Sequence, residues 1–151
     1  MEEDSTMDLI RTIDIAAGGM VAERTRLNVI STNLANANTT RTENGGPYRR
    51  KTTIFQATPA EDLFEVRLRD ALDRKLQGVE VTDIVPVEGP FKQVFDPTHP
   101  DADEKGYVYL PNVNLVEEMV LMLNANRAYE ANAAAVKAAK DMALKALEIG
   151  R

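Results

Sequence analysis

The chain's one histidine, His99, stands in an acidic loop, Asp-Pro-Thr-His-Pro-Asp-Ala-Asp-Glu-Lys-Gly, over residues 96–106. A histidine next to a nucleophile is the signature of covalent catalysis. The chain has no cysteine, however, and neither Ser5 nor Ser31 sits in the small-residue elbow that exposes a catalytic hydroxyl. His99 therefore reads as a loop residue. The neighbouring acids Asp96, Asp101, Asp103 and Glu104 raise the chemistry of a hard cation, which wants several carboxylate oxygens on a short turn. Aligned as a calcium loop from Asp101, the fifth position is Lys105 and the twelfth is Asn112, where oxygen ligands and a bidentate glutamate are required. Glu-Asn-Gly-Gly-Pro at 43–47 lacks the lysine and hydroxyl of a phosphate loop and reads as a turn. No catalytic residue, metal ligand or cofactor site is assigned, and a metal-dependent enzyme built on the acidic loop is the alternative class.

Binding chemistry is constrained by charge. The formal net charge of −6 opposes broad contact with a phosphate backbone, which needs clustered lysine and arginine, so no nucleic-acid partner is expected. The one basic run, Arg49-Arg50-Lys51, reads as a solvated strand end. Without cysteine, disulfides and thiolate metal sites are excluded, and nothing ties the chain to one redox compartment. The opening Met-Glu-Glu-Asp-Ser-Thr-Met-Asp-Leu is acidic where a secretory leader is basic, and no apolar run approaches a membrane span. Neither a cleaved signal nor a membrane-spanning segment is expected.

The densest polar pattern is Leu-Asn-Val-Ile-Ser-Thr-Asn-Leu-Ala-Asn-Ala-Asn-Thr-Thr, residues 27–40, with four asparagines at the end of a helical pattern. Asparagine tolerates turn conformations, and its amide offers both a donor and an acceptor to backbone groups orphaned at a helix end. Asn36 and Asn38 are thus expected to terminate the helix. Asn28 and Asn33 lie further in, where an amide can bridge to a neighbouring chain and fix register.

Two long helices must position this motif. From Met7 to about Ala35, Ile10, Ile13, Ala17, Met20, Leu27, Ser31 and Leu34 recur at three-four spacing, interrupted at Arg24, and Ser5 with Asp8 forms a capping pair. A second stripe runs through Leu115, Met119, Met122, Asn126, Tyr129, Ala133, Val136, Lys140, Ala143 and Leu147, with Asn114 and Glu117 as its start signal and Gly150 as its stop. Beside it, Leu121, Ala125, Ala128, Ala135, Ala139, Met142 and Ile149 make another small apolar face. Helices of roughly 30 and 35 residues measure about 45 and 53 Å, against a diameter of roughly 40 Å for a compact globule of this length. An elongated subunit that completes its core by assembly is therefore expected. Gly18-Gly19 costs the first helix on the order of 2 kcal/mol relative to alanines. A kink or a close neighbour must offset it.

Between the helices the texture becomes extended. Residues 51–57, 79–85, 91–95 and 107–110 are rich in β-branched and aromatic types and are separated by Gly and Pro turns. Residues 60–77 break this pattern with Phe64, Leu68, Leu72 and Leu76 at four-residue spacing, which predicts a short helix. The fold class is α+β: long terminal helices pairing as a coiled coil, with a small β-rich insert. The division is 1–40 for the N-terminal helix and its motif, 41–112 for the central segment, and 113–151 for the C-terminal helix, which joins the first helix as one inner helical domain.

Leu27, Ser31, Asn33, Leu34, Ala35, Asn36 and Thr39 match the N-terminal signature of the bacterial flagellar axial proteins of the rod and hook. The segments from Gly45-Gly46-Pro47-Tyr48-Arg49-Arg50 to Ala57 and from Asp96 to Gly150 are similar to rod-type members in the same order. The resemblance implies a structural subunit of the proximal rod, built into a hollow shaft that carries torque from rotor to distal rod. Ile10, Ile13, Ala17, Met20, Leu27, Leu34, Leu115, Met119, Met122, Tyr129, Ala133, Val136, Ala143 and Leu147 would then form the subunit-interface helices. It further implies copies of itself and other rod proteins as partners, passage through the flagellar type III export apparatus without a cleaved signal, and residence in the basal body within the periplasmic space. A helical adaptor outside the flagellum is the remaining alternative.

Overall fold

The computed structural model describes residues 2–59 and 77–149, with side chains over 9–58 and 77–148. Helix α1 (Glu2–Ala35) is followed by strands β1 (Lys51–Pro59), β2 (Gln77–Pro86), β3 (Lys92–Phe95) and β4 (Tyr107–Leu110), and helix α2 (Leu115–Ile149) ends the described chain. The α+β architecture is the expected one, with a long helix at each end and a small β-rich part between. The helix expected over 60–77 falls on residues outside those described, and Gln77 instead opens β2.

Local chemistry explains the boundaries. Helix α1 begins at Glu2, so Ser5 lies inside it and not at its cap. The Glu-Glu-Asp stretch ahead of Ser5 has the acidic composition that the positive end of a helix dipole favours. Asn114 caps α2: its Oδ1 accepts the Val116 N–H at 3.1 Å and more weakly that of Glu117 at 3.5 Å, and its carbonyl accepts the Glu118 N–H at 2.9 Å. Two two-stranded sheets form, β1 with β2 and β3 with β4. In the second, Lys92 faces Leu110 and Phe95 faces Tyr107 in antiparallel register. The Phe95 and Tyr107 rings meet edge to face at 5.3 Å. Gly106, at φ +80°, closes the turn between these strands where a side chain would strain the backbone.

The chain condenses into two compact units, one of Met1–Thr25, Phe55–Thr82 and Asn126–Arg151, the other of Arg26–Ile54 and Asp83–Ala125. Each draws on the N-terminal, central and C-terminal parts of the sequence.

In the first unit the buried side chains among the described residues are Ala16, Ala22 and Ala139. Their small size permits close backbone approach, and Gly19 takes this furthest. A Cβ at that position would stand 2.7 Å from Asn132 Nδ2, while one at Gly18 would stand 3.4 Å from the Val79 carbonyl oxygen. Helix α1 runs unbroken through both glycines. Close contact with the Asn132 side chain within the unit therefore accounts for Gly19, since a Cβ there would require that amide to shift.

The second unit buries Val29, Ile30, Ala37, Tyr48, Val108 and Ala125, together with a buried amide, Asn33, and a buried carboxylate, Glu118. Burying a charge is costly unless it is paired and hydrogen-bonded.

Candidate functional site

Asn33 sits on the last turn of α1 and is 1% exposed. Its Nδ2 donates to the Lys51 carbonyl at 2.8 Å and to Glu118 Oε2 at 3.0 Å. Its Oδ1 accepts the Tyr48 hydroxyl at 2.9 Å and the Lys51 N–H at 2.9 Å. An asparagine side chain has two N–H donors and two carbonyl lone pairs. All four are engaged within the chain, so the expected bridge from Asn33 to a neighbouring chain is corrected: the amide joins α1 to the start of β1, binding the Lys51 peptide group as a neighbouring strand would.

Glu118 completes the cluster from the first turns of α2. Its Oε1 lies 2.6 Å from Arg50 Nε, with the carboxylate fully buried and the Arg50 side chain 19% exposed. The Arg50 backbone is held as well, its N–H donating to Asn112 Oδ1 at 2.9 Å and its carbonyl accepting the Val87 N–H at 2.8 Å. Asn112 Nδ2 returns to the Val87 carbonyl at 3.0 Å. Burial, with the Glu118 charge second, pushes the Tyr48 phenol above its ordinary pKa, which keeps it a donor to Asn33 at neutral pH. Arg49 is also engaged, its guanidinium lying 4.6 Å from the centre of the Phe91 ring. The basic run is thus not simply a solvated strand end, since two of its three side chains make contacts inside the chain. Beside the cluster lies a cavity of about 200 Å³ lined by Arg26, Val29, Ile30, Arg50, Lys51, Thr52, Thr53, Glu117, Glu118 and Leu121.

The remaining signature residues divide by role. Asn36 ends the helix as expected: the Thr32 carbonyl accepts both its backbone N–H at 3.1 Å and its Nδ2 at 2.9 Å, and its Oδ1 accepts the Thr39 hydroxyl at 3.1 Å. Leu27, Leu34 and Thr39 are half-buried, whereas Ser31, Ala35, Asn28 and Asn38 are exposed.

The predicted interface stripes flank the buried seams. Ile10, Ala17, Leu115, Met119 and Leu147 are exposed, and Ile13, Met20, Met122, Tyr129, Ala133, Val136 and Ala143 are half-buried. On α2 the deepest apolar positions are Ala125 and Ala139, which belong to the second, small face. On α1 the buried positions Ala16, Gly19, Ala22, Val29, Ile30 and Asn33 all lie off the predicted stripe; those in the first unit are small, and those in the second include the bulkier Val29 and Ile30.

Three carboxylates of the acidic loop, Asp96, Asp101 and Asp103, are engaged within the chain. Asp103 Oδ1 accepts the N–H groups of Lys105 and Tyr107, each at 2.9 Å, and the Tyr107 bond leads in holding its pKa below the usual carboxylate range. Asp96 Oδ1 accepts the Thr98 hydroxyl at 2.7 Å, which lowers its pKa in the same way. Asp101 accepts the Thr40 hydroxyl at 2.8 Å, and His99 Nδ1 accepts the Asp101 N–H at 3.1 Å. Among the described residues no group of three or more His, Asp or Glu is placed to hold a metal ion. Nor, among them, is any helix long and apolar enough to cross a membrane.

Known proteins give this geometry its context. Residues 13–41 match the family described as flagella basal body rod protein, and residues 104–149 match the C-terminal family of the flagellar basal body rod FlgEFG proteins. The flagellar basal-body rod protein FlgC of Borreliella burgdorferi is 46% identical over 149 residues, covering 95% of this chain and 98% of the relative. FlgC of Bacillus subtilis is 40% identical, and that of Escherichia coli O6:H1 is 39% identical, each alignment covering 96% of this chain and 100% of the relative. With likeness of this extent over nearly the whole chain, and both family matches falling on the helices that frame the polar cluster, the chain belongs to the FlgC family of flagellar basal-body rod proteins.

Proposed function

We propose that this chain is a structural subunit of the flagellar basal-body rod, at its proximal end, and that it assembles through its terminal helices with copies of itself and with other rod proteins. The observation that carries the reading is a set of large apolar side chains left open to solvent on both helices: Ile10 at 59%, Val116 at 71%, Met119 at 59% and Leu147 at 71% exposure. The cores of the units use mainly small or polar residues from these helices, and the bulkier stripe residues stay outside. Contiguous exposed apolar surface marks an interaction site. In this reading residues 1–40 and 113–151 form the inner helical part of a hollow shaft, paired as a coiled coil, and the central segment 41–112 is carried outside it. The task is mechanical: close-packed contacts between subunits resist deformation together and transmit torque from rotor to distal rod. Delivery through the flagellar type III export apparatus and residence in the periplasmic space belong to the same reading.

Val116→Asp and Leu147→Asp test it. Both positions are exposed, and an acid at position 116 sits on the first turn of α2, where the helix dipole favours it. The single chain is expected to keep its stability within about 0.5 kcal/mol, while rod assembly and motility are lost. Normal motility in cells carrying both substitutions would contradict the reading.

A further inference from the structure

The polar cluster draws on three parts of the sequence. Asn33 comes from α1, Tyr48 to Lys51 lead into β1, and Asn112 with Glu118 frame the start of α2. Asn33 and Glu118 bond to one another across 85 positions. The two C-terminal side chains grip Arg50 twice, Asn112 at its backbone N–H and Glu118 at its guanidinium. Glu118 has no exposed surface, and each of its oxygens has one protein donor, Arg50 on Oε1 and Asn33 on Oε2. Take the carboxylate away and the Arg50 guanidinium and one Asn33 N–H lose the acceptor that holds them together. The alternative open to them is to separate and hydrate. A cluster that is saturated when complete and unfavourable when one member is missing behaves as a two-state element.

We propose that Asn112 and Glu118 form a closing clamp, so that the Asn33 signature and the Tyr48–Lys51 segment lock together only when the start of α2 is in place. The N-terminal motif thereby reports on the presence of the C-terminal helix. A chain whose C-terminal end has not yet arrived keeps this unit open, and its arrival shuts the unit in one step. The clamp acts inside a single chain, so it holds or fails independently of the rod reading. Glu118 is a positioning residue here: it acts on Lys51 through Asn33 and Arg50.

Hydrogen exchange of the full chain, followed by NMR, tests the clamp at two amides. The Lys51 N–H is accepted by Asn33 Oδ1 and the Arg50 N–H by Asn112 Oδ1. In the unaltered chain both are expected to be protected. Glu118→Leu should lower protection at Lys51 on the order of tenfold or more, as expected for a buried polar group left unpaired. Amides of Asn132 to Ala139, in the other unit, should be unchanged. Glu118→Gln and Asn33→Asp should each lose protection, the first by setting donor against donor and the second by setting carboxylate against carboxylate. Combined, they restore one donor–acceptor pair between the two positions and should recover several-fold of the loss. Lys51 unprotected in the unaltered chain, Lys51 indifferent to Glu118→Leu, or a double variant no better protected than Asn33→Asp alone would each overturn the clamp. An equal loss of protection in both units would also overturn it, since that describes general destabilisation and no local closure.

Discussion

In the unit of residues 26–54 and 83–125 the most buried large side chains are a carboxylate and an amide, while in the unit that includes residues 1–25 and 126–151 the buried side chains among the described residues are alanines beside a glycine. The first is held by directional bonds with a defined set of partners. The second is held by proximity, with Gly19 admitting Asn132 where a methyl group would collide. Directional bonding specifies one arrangement and fails abruptly when one partner is lost. Small-residue packing is non-directional and responds to volume. The two units should therefore fail under different substitutions.

The largest effect is expected from Arg50→Met. It leaves the Glu118 carboxylate buried without its cation, and a broken buried pair costs about 3–5 kcal/mol. Denaturant unfolding should show the loss in amides of the polar unit, and a loss under about 1 kcal/mol would mean that water reaches Glu118. Next comes Ala139→Leu in the small-residue unit, where added volume at a position 1% exposed should cost about 1–3 kcal/mol. Arg50→Met should leave the small-residue unit unaffected and Ala139→Leu the polar unit, and crossed effects would erase the contrast.

Gly19→Ala sharpens the comparison further. Alone it forces the Asn132 amide aside and should destabilise the unit despite the better helix propensity of alanine. In an Asn132→Ala background the same change should stabilise by up to about 1 kcal/mol. A stabilising Gly19→Ala in the unaltered chain would show that Asn132 moves freely.

The smallest effect is one of pH. The Tyr48 pKa is raised in the folded state, so the native state holds its proton after the unfolded state has begun to release it. The contribution is complete below the unfolded phenol value of about 10 and is lost as pH rises through the folded value. A titration of stability should fall above about pH 10, and Tyr48→Phe should remove part of that slope at a cost of about 1 kcal/mol at neutral pH. An unchanged slope would place the Tyr48 hydroxyl in water.

Much of this organisation is legible in the sequence because it is local. The four extended segments, the Asn114 cap, the turn at Gly45-Gly46 and the helix end at Asn36 all follow from chemistry within a few residues. The polar cluster is not local. Glu118 looks like an ordinary acid on the first turn of a helix, and nothing in periodicity pairs it with an amide 85 positions earlier. Asn33 is visible as a signature residue, yet its spacing gives only its position on α1 and leaves its partners unnamed. Spacing also puts the contact stripe on one set of bulkier residues, whereas the chain buries Ala16, Ala22, Ala125 and Ala139, together with Val29 and Ile30, which lie off that stripe. Hydrophobicity ranks residues by what burial gains, but two helices that approach closely select by size.

That displacement is what leaves bulky apolar side chains for other molecules to cover, and methionine oxidation reads it directly. Met119 and Met142 are 59% and 58% exposed and lie in different units. Peroxide footprinting of the free chain and of assembled rods, analysed by mass spectrometry, should show both methionines oxidised readily in the free chain and protected in the rod. Equal oxidation of Met119 and Met142 in the two states would contradict the claim that assembly covers the faces this chain leaves open.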